Sequence, residues 1–248
     1  MNTIEIKNLH FSYNAGEEIL KGLNLTIDER STAIIGQNGA GKTTFVKLLK
    51  GLLRPTEGQI LFNGQDISKQ TVATLAKDIG LIFQNPNDQI FKNTVLDEVM
   101  FGPMQIGMSK DKAKEVALKA LDMVGLKGTE KINPYDLGLS ERKMVSIAAI
   151  VAMDTKVVIF DEPTIAQDYM GKKRIQAIMK ELQRQHKIVI SILHDMDFVA
   201  ETFDRAIVFA KGDALLDGDV KSVFKEKDIW SSHTPCSFVT NLDIKKHF

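Results

Sequence analysis

Eight consecutive residues, Gly36-Gln37-Asn38-Gly39-Ala40-Gly41-Lys42-Thr43, read G-x-x-x-x-G-K-T. Glycines at those spacings let a backbone curl until successive N–H groups converge on one anion, which is the pattern of a phosphate-binding loop. The motif needs a strand before it and a helix after it, and the chain supplies both. Residues 31–35 end in a short apolar run, and Thr44-Phe45-Val46-Lys47-Leu48-Leu49 reads as a helix whose N-terminus adds positive potential. In that setting Lys42 is expected to reach the β- and γ-phosphates of a nucleotide. The Thr43 hydroxyl is expected on Mg2+, with Thr44 as a further phosphate contact. Many families share this loop, so it fixes a type of fold before it fixes a function.

The 248 residues are 44% hydrophobic, enough to bury one large core or two intimate ones. Lys+Arg and Asp+Glu both number 32, and no basic run appears, so nucleic acid is not an expected partner. Cys236 is the single cysteine; no intrachain disulfide can form, which suits a reducing cytosol. Residues 1–5 do not lead into the apolar stretch of a signal peptide. The longest apolar runs, such as residues 145–153, are too short to cross a bilayer. Any membrane role is expected to run through another protein.

Along the chain, Ile4, Ile6, Leu9 and Phe11 begin with a two-residue period, and Leu23-Asn24-Leu25-Thr26-Ile27 alternates cleanly. A hairpin-like β layer is therefore expected ahead of the phosphate loop. Tyr13 lies in the turn-rich segment between these strands, either as a platform for a purine ring or as a half-buried hairpin tyrosine. Residues 58–62 read as a strand entering an Asn63-Gly64 turn. Residues 79–83 form a buried-strand run ending at Gln84, a candidate ligand for Mg2+ or a water, or else a solvated loop residue. A helical insertion follows, with Thr94 and Ser109 as caps, a break at Gly102-Pro103 and a stop at Gly125. Its stripe of Ala113, Val116, Ala117, Ala120, Leu121 and Val124 reads as core.

A second apolar run, Val157-Val158-Ile159-Phe160-Asp161-Glu162, ends in two acids. Such a run suits a buried parallel strand, where unpartnered carboxylates are costly. Asp161 is the candidate for holding Mg2+, and Glu162 for polarising a water aimed at the γ-phosphate. His194 follows another strand, residues 188–192, and is placed to donate to the γ-phosphate. The βα alternation predicts an α/β sheet with active groups at the C-terminal ends of its strands.

Taken in this order, these motifs resemble the nucleotide-binding subunit of an ABC transporter along nearly the whole chain. The resemblance implies an α/β P-loop NTPase (RecA-like) core with an antiparallel β subdomain and an α-helical subdomain. It matches Tyr13 to the adenine-stacking aromatic, residues 36–44 to Walker A, Gln84 to the Q-loop and residues 157–161 to Walker B. Glu162 matches the catalytic carboxylate, Asp168 the D-loop aspartate and His194 the switch histidine. The segments Phe83-Gln84-Asn85-Pro86-Asn87-Asp88-Gln89-Ile90-Phe91 and Phe101-Gly102-Pro103 are similar to the energy-coupling-factor group, the ATPases of vitamin, cobalt and nickel importers. The division implied is an ATPase domain over residues 1–227, helical over about 94–153, and a C-terminal extension over 228–248.

One segment departs from the family. Where L-S-G-G-Q is expected, the chain reads Leu137-Gly138-Leu139-Ser140-Glu141. In the family this segment acts in trans, on the γ-phosphate held by the other subunit of a head-to-tail pair. Here a serine hydroxyl is lost at Gly138, close approach is hindered at Leu139, and Glu141 adds negative charge at a helix N-terminus. Ser140 is expected to cap that helix. The resemblance thus implies ATP and Mg2+ as cofactors and a second ABC ATPase as partner, a different chain being favoured and a homodimer possible. It further implies a transmembrane coupling protein, a substrate-binding membrane component and a peripheral place on the cytoplasmic face of the membrane. The rival readings are another ABC importer, a soluble ABC-type ATPase acting on nucleic acid or ribosomes, and a regulator that binds nucleotide without turnover.

Overall fold

Residues 1–14 and 16–226 are described by the computed structural model; the expected extension over 228–248 lies outside them. In chain order they form β1 (Ile4–Ser12), β2 (Glu18–Ile27), β3 (Thr32–Gly36), α1 (Lys42–Leu49), β4 (Glu57–Phe62), β5 (Gln65–Asp66) and α2 (Val72–Leu75). Next come β6 (Ile79–Ile82), α3 (Val95–Gln105), α4 (Lys110–Met123), α5 (Leu139–Val151), β7 (Val157–Asp161) and α6 (Tyr169–Arg184). The described chain closes with β8 (Ile188–Ile192), α7 (Met196–Thr202), β9 (Arg205–Ala210), β10 (Asp213–Asp219) and α8 (Val220–Lys225). Contacts divide it into two compact units, Met1–Leu75 with the described residues from Ile188 onward, and Ala76–Lys187.

In the first unit β1 pairs antiparallel with both β2 and β4, and β4 turns into β5 through Asn63 and Gly64, both at positive φ. That is the turn geometry a tight hairpin demands. The apolar positions of β1 change phase between Ile6 and Leu9, yet all four of Ile4, Ile6, Leu9 and Phe11 are buried. A bulge around Asn8 (φ 47°) resets the alternation, so both halves of the strand face the core. Beside this layer β3 runs parallel to β8 and β9, and β10 pairs antiparallel with β9. Every residue of β3, β8 and β9 is buried, as expected of strands covered on both faces. Phe45 of α1 packs on Phe209 of β9 with ring centroids 5.3 Å apart, pinning the helix to the sheet.

The second unit holds β6 and β7, paired in parallel, with α3 to α6. Thr94 accepts a hydrogen bond from the Asp97 amide and caps α3; Ser109 accepts from the Lys112 amide and caps α4. Of the expected stripe on α4, only Val116 is not fully buried. The expected break at Gly102-Pro103 does not occur, because α3 continues to Gln105. Pro103 stands less than a turn from the end, so the one N–H it removes is lost where the ladder is already closing. Gly102 is explained by packing: a Cβ there would stand 2.6 Å from Met153 Sδ. Among the described residues no helix is long and apolar enough to cross a membrane.

Candidate functional site

The first unit carries the phosphate loop. Strand β3 delivers the chain to Gly36, whose φ of 144° and whose closeness to the Phe209 carbonyl oxygen exclude any side chain. The loop then curls, with the Ala40 amide donating to Gln37 O at 3.2 Å, and Gly41 opens α1. No side chain caps α1, so its first-turn amides lie where an anion is favoured. Lys42 is 5% exposed and folds back over the loop, its ammonium donating to Gly36 O and Gln37 O at 2.8 Å each. Thr43 is exposed, whereas Thr44 is buried with its hydroxyl 3.3 Å from the Tyr13 hydroxyl. Tyr13 is 54% exposed and is held edge-on to Phe11, centroids 4.9 Å apart at 90°. The perpendicular contact with Phe11 and the hydroxyl contact with Thr44 hold a ring that stays more than half exposed. His194 lies two residues past the end of β8, which pairs in parallel with β3, the strand that leads into the phosphate loop.

The second unit carries the carboxylates. All five residues of β7 are buried, and Asp161 at its end is 5% exposed. Glu162 follows at φ 47°, in the left-handed region that costs a non-glycine residue about 1–3 kcal/mol. This conformation turns the chain sharply at the strand end. Gln84, exposed beyond β6, donates from Nε2 to Glu162 Oε2 at 2.9 Å. The two are 78 residues apart in sequence, and the parallel pairing of Ile82 with Phe160 brings them together.

Behind this pair lies a residue absent from the sequence reading. Lys143 of α5 is 2% exposed, and its ammonium donates to Phe83 O at 2.9 Å and to Gln84 O. Burial drives its pKa down to about 8, against the opposing pull of the Asp161 and Glu162 charges. The signal available in sequence was a lysine one turn before Ile147, on the buried face of an apolar helix.

The altered segment opens α5. Gly138, and not Ser140, takes the cap position. The Glu141 carboxylate reaches back and accepts from the Gly138 amide at 3.0 Å, the half of a capping box that an acid at the third helical position supplies. Ser140 is thereby released from capping, and its hydroxyl donates to Gln167 Oε1 at 2.8 Å. Leu137 is buried, while Leu139 is 44% exposed. Asp168 caps α6 by accepting from the Gly171 amide at 2.7 Å. Around it Ile165, Tyr169 and Met170 are exposed at 47%, 71% and 64%. No group of three or more His, Cys, Asp or Glu residues suited to a metal ion occurs among the described residues.

A family model described as "ABC transporter" matches residues 20–165. A putative ABC transporter ATP-binding protein of Pyrococcus furiosus is 39% identical over 222 residues, covering 90% of this chain and 85% of that protein. The energy-coupling factor transporter ATP-binding protein EcfA of Methanocaldococcus jannaschii is 37% identical over 229 residues, covering 91% and 82%. Among solved structures, cbiO1 of Clostridium perfringens aligns with a TM-score of 0.81 at 32% identity, covering 98% of this chain and 96% of that one. The ATP-binding cassette MJ0796, dimeric and bound to ADP and Pi, aligns with a TM-score of 0.80 at 26% identity, covering 88% and 98%.

Proposed function

The chain belongs to the ABC transporter ATP-binding family, ATPases coupled to transport, and on that premise we propose that it is the ATPase of an energy-coupling-factor importer. Two relatives named EcfA support the narrower type, as does the likeness to cbiO1, which is described as part of the complex cbiONQ. In this reading the subunit sits peripherally on the cytoplasmic face of a membrane. It serves a transmembrane coupling protein and a substrate-binding membrane component, and a vitamin or a transition metal ion is the cargo.

The proposed site residues follow from the family and from the placements above. Tyr13 stacks the adenine, and residues 36–44 cradle the phosphates with Lys42 neutralising their charge. Glu162 accepts a proton from the attacking water, Gln84 orients that water, and His194 donates to the γ-phosphate. Mg2+ is bound by few protein groups, one or two hard oxygens beside phosphates and waters. The exposed Thr43 hydroxyl of the first unit, and the Asp161 carboxylate and Gln84 amide of the second, are each donors of that chemical kind. When bound, the ion would supply positive charge to offset that of the phosphates.

One observation carries the rest of the proposal. The altered segment spends its polar groups internally: the Gly138 amide on Glu141 and the Ser140 hydroxyl on Gln167. We therefore assign the partner as a different ABC ATPase with the usual signature, which makes the two nucleotide sites unequal. The test is to purify the chain with the ATPase encoded beside it and mutate each catalytic glutamate separately. Glu162→Gln is expected to remove most hydrolysis, while the equivalent change in the partner removes little. Equal losses count against unequal sites. Co-purification with nucleic acid, and not with a detergent-solubilised membrane protein, counts against the importer.

A further inference from the structure

Three residues of α5 hold the loop that leaves β6. Arg142 donates to Asn87 Oδ1 at 2.9 Å, and Lys143 to the carbonyls of Phe83 and Gln84. The carbonyl of Ser146 accepts from Gln89 Nε2 at 3.2 Å, while Gln89 Oε1 accepts from the Phe83 amide at 3.3 Å. Lys143 is the costly member of this set. An ammonium at 2% exposure is penalised by desolvation, and an apolar side chain would fill the same space without that penalty. What an apolar side chain lacks is a donor that can bind two successive carbonyls at once. Those carbonyls belong to Gln84 and the residue before it, and the Gln84 side chain is bonded to Glu162 at 2.9 Å.

We propose that Lys143 is a positioning residue: it fixes the main chain at Phe83 and Gln84 so that the Gln84 amide meets Glu162, and it ties both to α5. The altered Leu137-to-Glu141 segment runs through the cap into the first turn of α5, so the helix that bears the trans-acting motif also carries the loop of the cis-acting glutamine. Displacement of α5 is thereby transmitted to Gln84 through hydrogen bonds to its own backbone. The inference rests on Glu162 acting as proposed above, but the link from Lys143 to the 83–89 loop stands on geometry alone.

The experiment uses the full chain with its partner ATPase and compares Lys143→Met, Lys143→Arg, Gln84→Ala and the double variant Lys143→Met/Gln84→Ala. Misplacing a catalytic group by a fraction of an ångström is expected to lower kcat about 10-fold in Lys143→Met, with KM for ATP changed less than about 2-fold. Lys143→Arg, which keeps two donors on a long stem, is expected to restore kcat to within about 3-fold. In the double variant, removal of Gln84 is expected to cost under about 2-fold beyond Lys143→Met, because the two act through one connection. Amide exchange over residues 83–89 should rise about 10-fold or more in Lys143→Met while that of α5 stays slow.

Additive losses in the double variant, or unchanged exchange over 83–89, overturn the assignment. So does a general rise in exchange over α5 and β6, which would make Lys143 a residue of the fold only. Should Lys143→Met not fold, Lys143→Gln, which keeps a donor on a stem too short for both carbonyls, is read by the same criteria. Hydrolysis left undiminished by Glu162→Gln would refute the site reading, and the exchange measurement would still decide the link.

Discussion

Replacing Gly36 by alanine puts the phosphate loop's geometry to a quantitative test. The Cβ would overlap the Phe209 carbonyl oxygen and lie 3.1 Å from its carbon and 3.3 Å from its nitrogen. These are backbone atoms of β9, hydrogen-bonded to β3 in parallel register, so they cannot swing aside as a side chain can. Overpacking against a fixed neighbour costs about 1–3 kcal/mol, and holding alanine at a glycine-only φ of 144° costs about 1–3 more. The sum, about 2–6 kcal/mol, corresponds to a fall in Tm of roughly 5–20 °C for a chain of this length. Gly39 of the same loop is the internal control: its φ is 80°, but a Cβ there meets nothing within 4 Å. Gly39→Ala should cost about 1 kcal/mol, partly offset by a stiffer unfolded chain. Thermal and urea unfolding of the two variants, followed by circular dichroism, gives the comparison directly. Gly36→Ala should also weaken ATP binding, because Gly36 O is one of the two carbonyls that hold Lys42 at 2.8 Å. Two variants within about 1 kcal/mol of each other would refute the steric argument.

Glu98 is 4% exposed and accepts from the amides of Phe91 and Lys92 at 2.9 and 2.7 Å; Glu98→Ala should destabilise by about 2–4 kcal/mol in urea titration, and Glu98→Gln by less. Burial lowers the Lys50 ammonium to about 8, so the native chain releases that proton before the unfolded chain, which holds it to about 10.4. Stability contributed there rises with pH between about 8 and 10.4. Lys50→Met should therefore raise Tm at pH 7, and the gain should shrink as pH climbs through that window. Rebuilding the trans segment with Gly138→Ser, Leu139→Gly, Ser140→Gly and Glu141→Gln in a Glu162→Gln background should raise the remaining phosphate release about 10-fold or more. Unchanged turnover would mean that this segment does not limit the partner's site.

Much of the fold was legible because its signals are local. The phosphate loop, the two acids after a buried strand and the caps at Thr94 and Ser109 each depend on a few adjacent residues. What escaped depends on residues distant in sequence. Gly102-Pro103 has the composition of a helix break, but its glycine answers Met153, about fifty positions on, and its proline falls where the helix is ending. Ser140 has the residue type of a cap, yet the cap position falls two residues earlier at Gly138, and Ser140, already inside the helix, turns to Gln167. Strand β10 alternates only between exposed and half-buried positions, so it carries little hydrophobic period to detect. Lys143 is hidden for the opposite reason. A charge on a helix is normally solvated, and only the two carbonyls at the end of β6 show why this one is not.

The state of the Leu137-to-Glu141 segment bears on which chain faces it. A missing donor at a transferring phosphate typically costs about 10²–10³ in rate. In a pair of identical chains both nucleotides would face this segment, and both sites would be slowed. Glu162 would then occupy its left-handed conformation, at about 1–3 kcal/mol, beside a Gln84 tied down by a buried ammonium, for little return in turnover. With a different chain opposite, the same features have a use. On the proposed roles, Glu162 and Gln84 would serve a nucleotide completed by an intact motif, while the segment on α5, with its Gly138 amide bonded to Glu141 and Ser140 to Gln167, would face a site that need only bind. Retaining an expensive cis arrangement beside a self-satisfied trans segment is thus coherent in an unequal pair and wasteful in an equal one, which is why the partner is proposed to be a second, different ATPase.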